Sequence, residues 1–89
     1  MVKILQTPTF KRAIKRLHKQ EKQELDKAIR TIATAPNTGE AKMGDLAGVR
    51  VYKFKMNKQL TLLAYEPLAD TIKLLALGSH ENFYRDLKR

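Results

Sequence analysis

The sequence predicts an α+β fold: an N-terminal strand and a helical hairpin packed on a small antiparallel sheet, closed by a short C-terminal helix. Three observations carry this prediction. Apolar residues recur at helical spacing between residues 8 and 35. The period then changes to two in VRVYKFKM. Finally, QLTLLAYE and TIKLLALG are near-continuous apolar runs, which suit central strands covered on both faces.

The elements follow in order. VKIL, residues 2–5, reads as a short strand. Thr7 is a candidate N-cap, and Pro8 suits the first helical position because its missing N–H would be unpaired there anyway. Phe10, Ala13, Ile14 and Leu17 form one apolar stripe, so residues 8–18 are expected to be helical. HKQE is the break. Leu25, Ala28, Ile29, Ile32 and Ala33 repeat the spacing through residues 20–35, and Pro36 ends the second helix. In VRVYKFKM, Tyr52, Phe54 and Met56 share one side, and Val51, Lys53 and Lys55 share the other. Asn57-Lys58 and PLAD are the turns that follow. The tail SHENFYRDLKR reads as a short helix, with Phe83 and Leu87 as its docking stripe.

Length and composition bound the function. Eighty-nine residues make one domain, 1–89, with a single modest core. There is no cysteine, which excludes disulfides, thiolate metal sites and a thiol nucleophile and fits a reducing cytoplasm. The first apolar stretch is too short for a signal peptide, and no run reaches the ~20 residues of a membrane span. Eighteen Lys and Arg against nine Asp and Glu give a formal net charge of +9. So strong a field points to a polyanionic partner, first nucleic acid and second an acidic protein. The plain alternative is charge that only keeps the domain dispersed.

The chemistry-bearing residues are few. Lys53 and Lys55 lie ~7 Å apart on one strand face and suit a phosphate. Lysines that protect an edge strand would look the same. Alternation sends Arg50 to the opposite face unless the strand opens with a bulge. Ser79 can cap the last helix, which puts His80 in its first turn, where the helix dipole disfavours imidazolium. A neutral imidazole can act as a general base, and Tyr84 stacks over it four residues on. An exposed helix-start histidine beside a packing tyrosine is the ordinary reading. Two histidines and no cysteine leave zinc without ligands, and the acids are too scattered for magnesium. What fits is metal-free cleavage of RNA by its own 2′-hydroxyl, with a base, an acid and cations on the phosphate.

The hairpin at 8–35 followed by KMGDLAGVRVYKFKM, LLAYE and LLALGSHENFYRDL resembles the RelE/ParE superfamily of bacterial toxin–antitoxin toxins. The likeness covers nearly the whole chain. It implies a RelE-like fold and, for the mRNA-cleaving branch, cutting of messages in the ribosomal A site, with translation inhibition and growth arrest. It further implies that Lys53 and Lys55 bind phosphate and His80 transfers a proton. Tyr84, with Phe83 as the alternative, supplies the later ring, and Arg85 adds a phosphate contact. No cofactor or metal is implied. The implied partners are an acidic antitoxin, mRNA and the ribosome. One departure stands out: relatives that cut RNA often carry an arginine in the middle strand, and QLTLLAYE has none. Either Arg50 or Arg85 replaces it, or the chain follows the branch that inhibits DNA gyrase without catalysis.

Overall fold

The computed structural model describes residues 2–79 of the chain. The expected tail helix therefore lies outside the described residues. Strand β1 (Lys3–Gln6) leads into helices α1 (Pro8–Ile14) and α2 (Lys19–Thr34). A short 3-10 turn, Pro36–Thr38, precedes the two-residue strand β2 (Glu40–Ala41). A second, Gly44–Leu46, precedes β3 (Arg50–Met56), β4 (Gln59–Pro67) and β5 (Thr71–Gly78).

The helix starts have local causes. Thr7 caps α1, its hydroxyl accepting from Phe10 N–H at 3.2 Å. The first helix is shorter than its apolar stripe predicts. After Ile14 the backbone tightens, with Arg16 N–H bonding Ala13 O and Leu17 N–H bonding Ile14 O. The break thus falls at residues 15–18, and Leu17 still packs against the core from the turn. Glu21 Oε1 accepts from His18 N–H at 2.8 Å and restarts the chain as α2.

The strand order is β1-β5-β4-β3-β2. Neighbours are antiparallel except β1, which runs parallel to β5 from Lys3 opposite Thr71 to Gln6 opposite Leu74. The sheet is mixed, a correction to the antiparallel expectation. The hairpin explains the direction. Thr7 N–H and Oγ1 donate to the carbonyls of Leu74 and Leu75 at 3.1 and 3.0 Å, so the start of α1 is fastened to the middle of β5. Nothing in a four-residue strand encodes that choice.

Both helices cover one face. Phe10, Leu25, Ala28 and Ile32 meet Met56, Leu63, Tyr65, Ile72 and Leu74 there. The other face has a smaller buried cluster of Val51, Leu62, Ala64 and Ala76. A bulge divides β5 between the two. Ala64 pairs with Ala76, but Tyr65 pairs with Leu74, which leaves Leu75 as the extra residue. Ile72, Leu74 and Ala76 alternate in sequence and are all buried. Ile72 and Leu74 nevertheless face the helices while Ala76 faces away, because one inserted residue inverts the alternation.

The α2–β2 connection is held by one buried side chain. Tyr65 is fully buried, and its hydroxyl donates to Pro36 O at 2.6 Å and accepts from Gly39 N–H at 2.9 Å. A Cβ on Gly39 would stand 2.7 Å from that hydroxyl and 2.9 Å from the ring, so only glycine fits.

Two substitutions test these points. Tyr65→Phe leaves two backbone groups without their partner and should cost about 1–3 kcal/mol. At ~4–8 °C per kcal/mol for a domain of this size, a melting curve will read it clearly. Asn57 and Lys58 both have positive φ, 54° and 66°, in the β3–β4 turn. Lys58→Gly should therefore stabilise the fold by about 0.5–1 kcal/mol, since glycine removes the side-chain penalty there. A lower midpoint in urea would contradict it.

Candidate functional site

The cross-strand register sets out the face away from the helices. Lys53 lies opposite Leu62, and Leu62 opposite Gly78, so the three form one row across β3, β4 and β5. At ~4.8 Å between strands, Lys53 and Gly78 are about 10 Å apart at Cα. Lys55 lies opposite Leu60 in the adjoining row. Both lysines are exposed, and Leu60 is 51% exposed beside the fully buried Leu62. The chain leaves the sheet at Gly78 and Ser79, at the end of the row that contains Lys53. His80, Phe83, Tyr84 and Arg85 lie outside the described residues.

β2 pairs only with Arg50 and Val51. Beyond them, among the described residues, no strand neighbours the outer edge of β3. Lys53 and Lys55 thus also occupy the position in which lysines discourage edge-to-edge pairing. The two readings share one location.

Arg50 is not brought to the lysines. Register places it opposite Tyr65, on the helix side, as alternation predicts. Its Nη1 donates to the carbonyls of Gly39 at 2.6 Å and Asn37 at 3.2 Å. These contacts occupy one guanidinium nitrogen and set Arg50 apart from the lysine row. It braces the same loop as Tyr65.

Alternation alone also misses a feature at the edge. Tyr52 and Phe54 stack, with ring centroids 5.8 Å apart and planes 15° apart. They line an open groove of about 220 Å³ between α2 and β3, with Glu24, Lys27, Thr31 and Lys55. Lys55 also lines this groove at the open edge of the sheet. The sequence hint was an aromatic pair two apart on an edge strand. A smaller hollow of about 140 Å³ is lined by Leu17, Met56, Leu60, Leu77, Gly78 and Ser79, where the chain leaves β5.

Among the described residues no three His, Asp or Glu side chains gather to hold a metal ion. None of the described helices is long and apolar enough to cross a membrane.

Two helices on one face of a five-stranded mixed sheet, with a basic strand on the other face, define a small α+β domain. Comparison with known proteins makes this definite. Residues 4–88 match the family of ParE-like toxins of type II bacterial toxin–antitoxin systems, and the chain belongs to that family. It is a type II toxin of the RelE/ParE superfamily. No curated protein matches it. Among solved structures, the chain is similar to an arginine-to-alanine double mutant of the Escherichia coli toxin RelE in the free state. The TM-score is 0.75 at 13% identity, over 98% of this chain and 90% of that one. It is also similar to a chain of the intact E. coli RelBE toxin–antitoxin complex, at TM-score 0.72 and 14% identity, over 91% and 99% of the two chains. A conserved hypothetical protein from Helicobacter pylori gives TM-score 0.53 at 24% identity, over 90% and 96%. At these identities the structural likeness establishes the fold.

Arg50→Ala should separate bracing from binding. Loss of two charge-assisted hydrogen bonds predicts a cost of about 1.5–3 kcal/mol in thermal unfolding. RNA affinity per folded molecule should change little, as measured by anisotropy below the melting range.

Proposed function

We propose that this toxin cleaves mRNA on the ribosome by metal-independent attack of the 2′-hydroxyl. The observation that supports the reading best is the row Lys53–Leu62–Gly78, which brings the start of the segment bearing His80 to the strand bearing the lysines. In the proposed chemistry a base removes the proton of the 2′-hydroxyl, and that oxygen attacks the adjacent phosphorus. The P–O5′ bond breaks, leaving a 2′,3′-cyclic phosphate. An acid returns a proton to the departing 5′-oxygen. Lys53 and Lys55 carry the charge that builds on the non-bridging oxygens. His80 is the proposed base or acid. Tyr84 stacks on a base or assists the proton transfer, and Arg85 holds the backbone.

Inhibition of DNA gyrase without catalysis is the second reading. The ParE-like family match favours it, as does a middle strand without arginine when Arg50 is already engaged by the α2–β2 loop.

One experiment separates them: wild type, His80→Ala and Lys53→Ala/Lys55→Ala are expressed in bacteria, and message 5′-ends and gyrase–DNA cleavage complexes are mapped together. RNA cleavage predicts message cuts that fall about 10²–10⁴-fold in His80→Ala. It predicts a fall of about 10²–10³-fold in the lysine double variant. Cleavage complexes without message cuts would establish the gyrase reading, and message cuts unchanged in His80→Ala would remove that residue from the mechanism. An unaffected growth rate would count against both readings.

A partner with an acidic segment follows from the same reading. RelE is found in complex with an antitoxin peptide, and this chain exposes Ile4, Leu5, Leu60 and Leu68 beside abundant positive charge. The proposed antitoxin covers apolar surface and neutralises charge together. Co-expression with such an antitoxin should raise the yield of soluble toxin. A harmless chain equally soluble alone would count against it.

A further inference from the structure

The groove between α2 and β3 takes no part in the proposed cleavage. Its floor is the stacked pair Tyr52 and Phe54, two half-buried rings that pack against the main core. Its wall is one face of α2, where Glu24, Lys27 and Thr31 recur at helical spacing. Ala28 lies among them, and its single methyl is too small to fill the space over the rings. The polar groups there are already oriented. Glu24 is half-buried, and its Oε2 accepts from Asn57 N–H at 2.7 Å, which fixes the carboxylate. Oε1 has no partner among the described residues. Thr31 Oγ1 donates its only proton to Lys27 O at 3.0 Å, so toward a ligand it can only accept. The groove thus combines an aromatic floor, fixed acceptors and the ammonium groups of Lys27 and Lys55.

We infer that this groove is a subsite for one nucleobase of single-stranded RNA, and that it selects a base with an amino group. The inference rests on the reading that Lys53 and Lys55 bind the phosphates of that RNA. Lys42 N–H donates to Val49 O, so alternation turns the N–H groups of Lys53 and Lys55 toward the same open edge of β3. Ammonium and backbone donors together hold a phosphate at that edge. The adjoining base then has only to turn over the edge onto the rings. Stacking on Tyr52 and Phe54 accepts any base. Glu24 supplies the choice, because a carboxylate accepts from an amino group such as N4 of cytosine. Uracil has a carbonyl oxygen at that position, which the carboxylate repels.

Size and charge favour this occupant. The groove holds about 220 Å³, below the ~300–1,000 Å³ of sites that enclose a whole small ligand. It therefore takes a single ring, with sugar and phosphate outside beside Lys27 and Lys55. An acidic peptide would bring its own carboxylates against Glu24. Lysines that only guard a sheet edge need neither a ring pair nor a fixed carboxylate beside them.

The test compares wild type, Glu24→Gln and Phe54→Leu as full chains. Fluorescence anisotropy reads binding to two labelled 2′-O-methyl RNA strands, which lack the hydroxyl needed for self-cleavage. One is all uridine, and the other has a single cytidine at its centre. Wild type should bind the cytidine strand at least ~5-fold more tightly. Glu24→Gln keeps an oxygen for Asn57 N–H, so the fold persists, but it turns an amide NH₂ toward the base. The preference for cytidine should then vanish or reverse. Phe54→Leu should weaken both strands by about 5- to 150-fold and keep the preference. Should Phe54→Leu fail to fold, nuclear Overhauser contacts between the cytidine ring protons and those of Tyr52 and Phe54 in the wild type read the same stacking. Equal affinity of the wild type for the two strands overturns the inference and leaves RNA binding by the lysines intact. Binding to neither strand overturns both. A cytidine preference unchanged in Glu24→Gln also overturns the inference, as does an effect of these substitutions on antitoxin binding alone.

Discussion

The rest of the structure depends on the hydroxyl of Tyr65. It sits at the centre of the main core, fully buried, and its one polar atom must be satisfied there. It reaches out of the sheet to Pro36 and Gly39, on the loop that carries the chain from the hairpin into β2. Two layers that differ in period are thereby joined at one point. Arg50 supports the same loop from the outside, through carbonyls two residues apart. Gly39 is required there because the tyrosine ring leaves no room for a side chain.

The bulge at Leu75 has the next largest consequence. It lets β5 serve both faces, turning Ile72 and Leu74 toward the helices and Ala76 away. The far face consequently has a small apolar floor of Val51, Leu62, Ala64 and Ala76, with the lysines of β3 at its border. A charged group beside an apolar floor loses some hydration and holds a phosphate more strongly than the same group surrounded by water. The register that builds this floor also brings Gly78, the exit of the sheet, into the row of Lys53.

Much of the fold was legible beforehand. The Thr7-Pro8 start, the stop at Pro36 and the bounds of the three long strands follow from local chemistry, and the structure keeps them nearly to the residue. The alternation of Lys53 and Lys55 against Tyr52 and Phe54 was legible as well. The shortened α1 was not, because Leu17 satisfies the apolar stripe from a tightened turn as well as from a helix. Nor was the engagement of Arg50, since a guanidinium that binds loop carbonyls and one that binds phosphate look alike in sequence.

The sequence by itself determined the layers, their order and the basic character of the molecule. Those properties rest on capping, periodicity and net charge, each read within a few neighbouring residues. Only the tertiary structure decided that β1 runs parallel to β5, that alternate buried residues on β5 face opposite ways, and that Arg50 is engaged by the α2–β2 loop. Each of these depends on contacts between distant residues, on a carbonyl of β5 held by Thr7 or on one extra residue in a ladder. No local pattern can report them, because the same stretch of chain is compatible with either outcome until its partner is in place.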